Sequence, residues 1–184
     1  MARLPSIKSK DQVAKEDHAV FDAVVKSRGA VQGPFTMAMH CPPIAQHLVN
    51  LGGYVRFEGK LDHRVRVLAA MTVAREFDCM YVWGAQTGQA RKQKVPESTI
   101  TAIRERHSRG VPPEDAQIID FTRDLINKHR VSDDTMKALQ KRFGNYQLVE
   151  LTGTIGYYSM LAMSANACEL EQAEGAEALP GGAR

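Results

Sequence analysis

Apolar residues recur along the chain at intervals of three and four and almost nowhere alternate singly, so the pattern predicts helices and no sheet. A first helix is expected over residues 11–27, with Val13, Val20, Phe21 and Val24 on its apolar face and Arg28-Gly29 closing it. A loop over 29–34 and a short turn over 35–40 follow. Pro42-Pro43 opens a second helix, since proline is tolerated in a first turn, and Ile44, Leu48, Leu51 and Val55 fall on one stripe. Gly52-Gly53 interrupts that stripe at a cost of about 1 kcal/mol per glycine relative to alanine, which either a closely packed neighbour or a bend would explain.

Asp62 is placed to cap a third helix reaching about Phe77, with Val65, Leu68, Ala69 and Val73 inward. A fourth is expected over 80–92. Pro96 starts a fifth, carrying Ile100 and Ile103. Pro112-Pro113 with Glu114 and Asp115 starts a sixth, where acidic residues suit the helix dipole. Ser132 caps a seventh. The last helix, over 146–169, lines up Leu148, Leu151, Ile155, Tyr158 and Ala162. Short connections between such segments predict a compact all-α bundle, one domain over 1–172. The small, polar, Pro/Gly-bearing stretch 173–184 is expected to be a disordered tail.

Composition narrows the function. Lys plus Arg number 24 against 21 Asp plus Glu, and a net charge of +3 with no basic block argues against nucleic acid. No run approaches the roughly 18 apolar residues that span a bilayer, and the first ten residues lack an apolar signal core, so no membrane partner is expected. Cys41, Cys79 and Cys168 are odd in number, far apart and without a Cys-x-x-Cys, which fits a reducing cytoplasm rather than a disulfide framework. No His/carboxylate spacing points to a metal, and Gly52-Gly53 lacks the residues of a phosphate loop.

Three stretches carry more information. The first runs from Gly33-Pro34-Phe35 through His40-Cys41-Pro42 to Leu51-Gly52-Gly53-Tyr54-Val55-Arg56-Phe57. The second is Ala74-Arg75-Glu76-Phe77-Asp78-Cys79-Met80-Tyr81-Val82-Trp83-Gly84-Ala85-Gln86. The third joins Val131-Ser132-Asp133-Asp134-Thr135 to Leu148-Val149-Glu150-Leu151-Thr152 and Ile155-Gly156-Tyr157-Tyr158. In order and spacing they resemble the carboxymuconolactone decarboxylase and alkylhydroperoxidase D (AhpD-like) superfamily, over residues 34–168. The resemblance implies an AhpD-like helical bundle, a homo-oligomer (trimer or hexamer), and a small-molecule pocket beside the Cys-bearing helix. The peroxidase members carry Cys-x-x-Cys, a His four residues later and a Glu upstream. Here Cys79 matches the first Cys, but Val82 stands at the second, Gln86 at the His, and the Glu falls near Val67.

These departures remove the resolving thiol and the base of a thiol redox cycle. A thiol-dependent peroxidase using Cys79 with Cys41 or an external thiol therefore stands as an alternative, as does a non-catalytic binding protein. The expected activity is a lyase (decarboxylase-like) or isomerase of aromatic-compound catabolism that needs no cofactor and acts on a small carboxylated lactone or phenolic compound. For acid–base work His40 is the leading candidate, because imidazole titrates near neutrality, with Cys79 and Tyr158 as further catalytic candidates. His47, His63, His107 and His129 lie in polar surroundings and read as solvated helix residues. Arg56 is the candidate anion clamp, with pairing to Glu58 or Glu76 as the plainer reading. Tyr81, Trp83 and Tyr157 are candidates for an aromatic wall, only one of Tyr81 and Trp83 being able to face a ligand, and Gln86 for orienting a carbonyl or water.

Overall fold

The structure is a computed structural model describing residues 2–172 and 175–180. The helices are α1 (His18–Arg28), α2 (Pro34–Ala38), α3 (Pro42–Gly53), α4 (His63–Glu76), α5 (Met80–Lys92), α6 (Glu97–Arg104), α7 (Pro113–Arg123) and α8 (Asp133–Ala167). No strand occurs among the described residues, and no helix there is long and apolar enough to cross a membrane.

Helix α4 forms the centre, packed against α5, α7 and α8. It is buried without interruption from Val67 to Arg75, as a helix surrounded on all sides must be. Its start is fixed by Asp62, whose carboxylate accepts hydrogen bonds from the backbone N–H groups of Arg64 (2.8 Å) and Val65 (3.3 Å), the cap expected from the sequence. Around α4 the core closes on Trp83, Ile100, Ile118, Ile119, Leu151 and Tyr157.

Three sequence expectations change. The first helix begins at His18, not near residue 11. Two tight turns, Lys10–Gln12 and Lys15–Asp17, precede it, and Val13 between them is extended (φ −117°, ψ 154°). The seventh and last helices are continuous in hydrogen bonding but broken at Gly144, whose φ of 65° only glycine adopts freely. In the expected disordered tail, residues 173–174 and 181–184 lie outside the described residues, whereas 175–180 are held against α5 and α6. Leu179 is buried, and Glu177 pairs with Arg91 at 2.7 Å and with Arg104. A carboxylate and one leucine among small residues are enough to anchor so short a segment.

Gly52-Gly53 serves both of the purposes its position suggests. A Cβ on Gly52 would overlap both Arg28 Nη2 and Tyr157 Oη, so α3 packs closely on side chains from α1 and α8. Immediately afterwards α3 widens into a π-turn, Tyr54–Glu58, closed by the Gly59 N–H donating to the Tyr54 carbonyl at 2.8 Å. Such widened turns recur at functional sites because they re-aim a side chain. Here the side chain is Arg56.

Candidate functional site: a cavity edged by arginines

A cavity of about 360 Å³ opens where α1, α2, the π-turn, α5 and α8 meet. Helix α5 contributes Tyr81, Val82, Ala85, Gln86 and Gln89, one helical face. Helix α8 contributes Tyr157, Tyr158 and Leu161, α2 contributes Phe35, and the last turn of α1 contributes Arg28. Of the residues singled out by the sequence, Arg56, Tyr81, Gln86, Tyr157 and Tyr158 come together here.

Arg28 is a site residue that the sequence pattern does not single out. It ends α1, where the helix dipole favours a cation, and Gly29 (φ 82°) terminates the helix behind it. Its guanidinium lies 5.1 Å from the centre of the Phe35 ring and donates to the Tyr157 hydroxyl at 3.4 Å, while its Nε is buried without a partner. Burial, and secondarily the nearby Arg56, pulls its pKa below the usual guanidinium value, against the influence of Tyr157 and Tyr158. The only local signal is its place beside Gly29 and Gly33, which reads simply as a helix stop.

Arg56 stacks on Phe57, 5.0 Å from the ring centre. Neither carboxylate that could have paired with it does so: Glu76 binds Arg123 at 3.0 Å, and no ion pair joins Arg56 to Glu58. Among the described residues neither Arg28, Arg56 nor Arg66 forms an ion pair, and no carboxylate lines the cavity. Two cationic groups thus face a space that holds no anion of the protein's own.

Tyr157 and Tyr158 meet edge to face, ring centres 5.3 Å apart. Burial raises the pKa of both phenols, so both are protonated at neutral pH. For Tyr158 the opposing influences are Arg56, Arg28, Arg66 and the facing amide of Gln86. Tyr81 is likewise raised by burial, and its hydroxyl reaches so close against Gly33 that a Cβ there would overlap the oxygen. A smaller cavity of about 150 Å³ adjoins the first across Arg56, Gln86 and Tyr158, and His63 and Arg66 line it. Burial, then Arg66, lowers the His63 pKa and keeps that imidazole neutral near pH 7. His63 therefore lines this smaller cavity while remaining exposed, as its polar neighbours in sequence suggest.

Three candidates do not line the cavity. His40 is exposed, and its Nε2 binds the Pro5 carbonyl at 2.8 Å, tying down the N-terminal segment instead of meeting a ligand. Trp83 lies two positions from Tyr81, on the far side of α5, wholly buried and covered by the Arg104 guanidinium 5.7 Å from its ring centre. Cys79 precedes α5, is 1% exposed, and has its thiol pKa raised by burial despite backbone hydrogen bonds from Val82 and Tyr81. Cys41, Cys79 and Cys168 are all free thiols, and among the described residues no group of three His, Cys, Asp or Glu is placed to hold a metal ion.

The sequence model of the carboxymuconolactone decarboxylase family matches residues 42–109, from the start of α3 to the loop before α7. That stretch is similar to the carboxymuconolactone decarboxylase family. In three dimensions it is similar to an AhpD-core, uncharacterized peroxidase-related protein of Ralstonia eutropha (TM-score 0.76, 16% identity, 94% of this chain and 93% of that one). It is also similar to an uncharacterized peroxidase-related protein of Silicibacter sp. (TM-score 0.71, 15% identity, 94% and 92%). A third likeness is to a protein of unknown function from Agrobacterium tumefaciens described as a putative antioxidant defence protein AhpD (TM-score 0.67, 16% identity, 77% and 99%). At these identities the likeness establishes a shared fold. No functionally curated protein matches the chain.

Proposed function

We propose that this protein is a lyase, or an isomerase, that binds a small carboxylated ring compound in the arginine-edged cavity and moves protons without a cofactor. The observation that carries the reading is the pairing of two uncompensated arginines, Arg28 and Arg56, with a buried, protonated Tyr158 in one cavity. For decarboxylation, the bond between the ring carbon and the departing carboxylate breaks. Its electron pair passes into a conjugated carbonyl and CO2 leaves. Arg28 and Arg56 hold the retained carboxylate and the enolate oxygen, a charge-assisted arrangement that strengthens as charge develops. The apolar side formed by Phe35, Val82 and Leu161 receives the departing carboxylate, which loses CO2 more readily when poorly solvated. The Tyr158 hydroxyl then delivers a proton to carbon and regains one from solvent. The neighbouring arginines and Gln86 ease the brief tyrosinate. An isomerisation needs a base as well, and neutral His63 in the adjoining cavity supplies one.

A thiol peroxidase would require an accessible thiolate. The buried, raised-pKa Cys79, with Val82 and Gln86 standing where the resemblance calls for a second Cys and a His, works against that reading. The test is to supply the purified protein with carboxylated muconolactones and phenolic acids, and separately with organic peroxide plus a dithiol, following CO2 and peroxide. CO2 release or isomerisation that survives Cys79→Ala supports the proposal. Peroxide turnover that Cys79→Ala abolishes overturns it, and binding without any turnover leaves a ligand-binding protein.

A further inference from the structure

Both arginines that edge the cavity lie against a phenylalanine, and the two pairs differ in how open the ring is. Arg28 stands 5.1 Å from the centre of the Phe35 ring, which is buried. Arg56 stands 5.0 Å from the centre of the Phe57 ring, and Phe57 is 64% exposed, the most exposed aromatic residue among those described. A single exposed apolar side chain is ordinary on a protein surface. Position is what distinguishes this one. Phe57 lines the cavity of about 360 Å³ and also the adjoining one of about 150 Å³, so it borders both chambers. The π-turn at the end of α3 puts it there: Val55 turns into the core, while Arg56 and Phe57 are left outward. The other rings of the cavity are already engaged. Tyr157 and Tyr158 are buried and pack edge to face on each other, and Tyr81 is partly buried with its hydroxyl against Gly33.

We infer that Phe57 is a specificity-determining residue: its open ring receives the ring of the ligand whose carboxylate Arg56 holds, and so selects planar, unsaturated ring carboxylates over saturated ones of similar size. The inference rests on the reading of the cavity as a carboxylate site. A carboxylate gripped by Arg56 brings its attached ring close to Phe57, because the guanidinium that grips it stands 5.0 Å from the Phe57 ring centre. Flat, conjugated rings pair with phenylalanine in offset or edge-to-face arrangements that a puckered, saturated ring cannot make, a gain beyond the apolar area either ring buries. Phe57 holds most of its surface open until a ligand arrives, so its burial contributes to binding and not to folding. The selection also suits the chemistry proposed for the cavity. Electrons released by a departing carboxylate need a conjugated system to receive them, and a residue that favours such rings admits the compounds able to react.

Calorimetric titration of the full chain with benzoate, cyclohexanecarboxylate and benzamide tests this, wild type beside Phe57→Leu and Phe57→Tyr. The side chain is exposed, so both variants are expected to keep the helical circular dichroism. Wild type is expected to bind benzoate about 3- to 10-fold more tightly than cyclohexanecarboxylate, the worth of one aromatic pair. Phe57→Leu is expected to bring the two acids within about twofold of each other, and Phe57→Tyr to keep the preference. A preference that Phe57→Leu leaves intact, or a loss in Phe57→Leu that falls equally on both acids, overturns the role given to Phe57. Benzamide separates this inference from the reading beneath it. If benzamide binds as tightly as benzoate while Phe57→Leu still erases the preference between the two acids, the carboxylate reading fails and the ring contact of Phe57 stands. A wild type that binds neither acid overturns both.

Discussion

The Arg28 guanidinium and the Tyr157 hydroxyl meet at 3.4 Å across the space that Gly52 leaves empty. Three helices distant in sequence are held in one arrangement by that contact, and it places one of the two cations at the cavity. Gly52→Ala sets a methyl group against both partners. The rigid phenol cannot yield as a flexible side-chain end would, so the substitution is expected to cost about 1–3 kcal/mol of stability. It is also expected to weaken carboxylate binding. Denaturant unfolding with calorimetric titration of a phenolic acid checks both.

Loss of either cation should be felt by anions, and loss of Arg28 also by the contact it makes with Tyr157. Arg28→Gln and Arg56→Gln are each expected to weaken binding of a small aromatic carboxylate about 10- to 100-fold, the range of a charged hydrogen bond worth about 1.5–3 kcal/mol. Neutral analogues lacking the carboxylate should bind the variants and the wild type alike, which titration with matched acid and amide ligands checks.

Cys79 should be chemically silent. Its burial and raised pKa predict no reaction with an aromatic disulfide reagent until the protein unfolds, while exposed Cys41 reacts at once. Thiol counting with and without denaturant reads this directly, and Cys79→Ala is expected to leave proton chemistry within a few-fold of wild type.

The buried phenols give the stability a definite alkaline limb. Tyr81, Tyr157 and Tyr158 all have pKa values raised in the folded state, so the folded protein holds its protons longer than the unfolded chain does. Their contribution is complete below the ordinary phenol pKa of about 10 and is lost as pH rises above it. His63, with a lowered pKa, acts at the other end. Its contribution is present above about pH 6.5 and is lost as pH falls below. Unfolding free energies from pH 5 to 11 should show both limbs, the alkaline one flatter in Tyr158→Phe.

Much of this fold is legible in the sequence because its signals are local. Asp62 caps α4 as a carboxylate before an apolar run must, and α5 begins and ends where its neighbours predict. What is not legible depends on long-range placement. Nothing near His40 in sequence reveals that Pro5 occupies its ring nitrogen, and nothing near Arg28 reveals that Gly52 opens a place for it. The two-residue offset of Tyr81 and Trp83 shows that only one can face a ligand, but which one depends on how α5 is rolled against α4. The resemblance that singles out Cys79 points to the helix that lines the cavity, and burial separates that thiol from it.

Whether Tyr158 moves the proton can be read by proton NMR in D2O with carboxylated muconolactones and phenolic acids, comparing wild type, Tyr158→Phe and His40→Ala. Turnover or deuterium uptake is expected in wild type and His40→Ala, with a loss of about 10²- to 10⁴-fold in Tyr158→Phe, the usual worth of a positioned acid. Activity that survives in Tyr158→Phe and disappears in His40→Ala would refute the role given to Tyr158 and return it to His40.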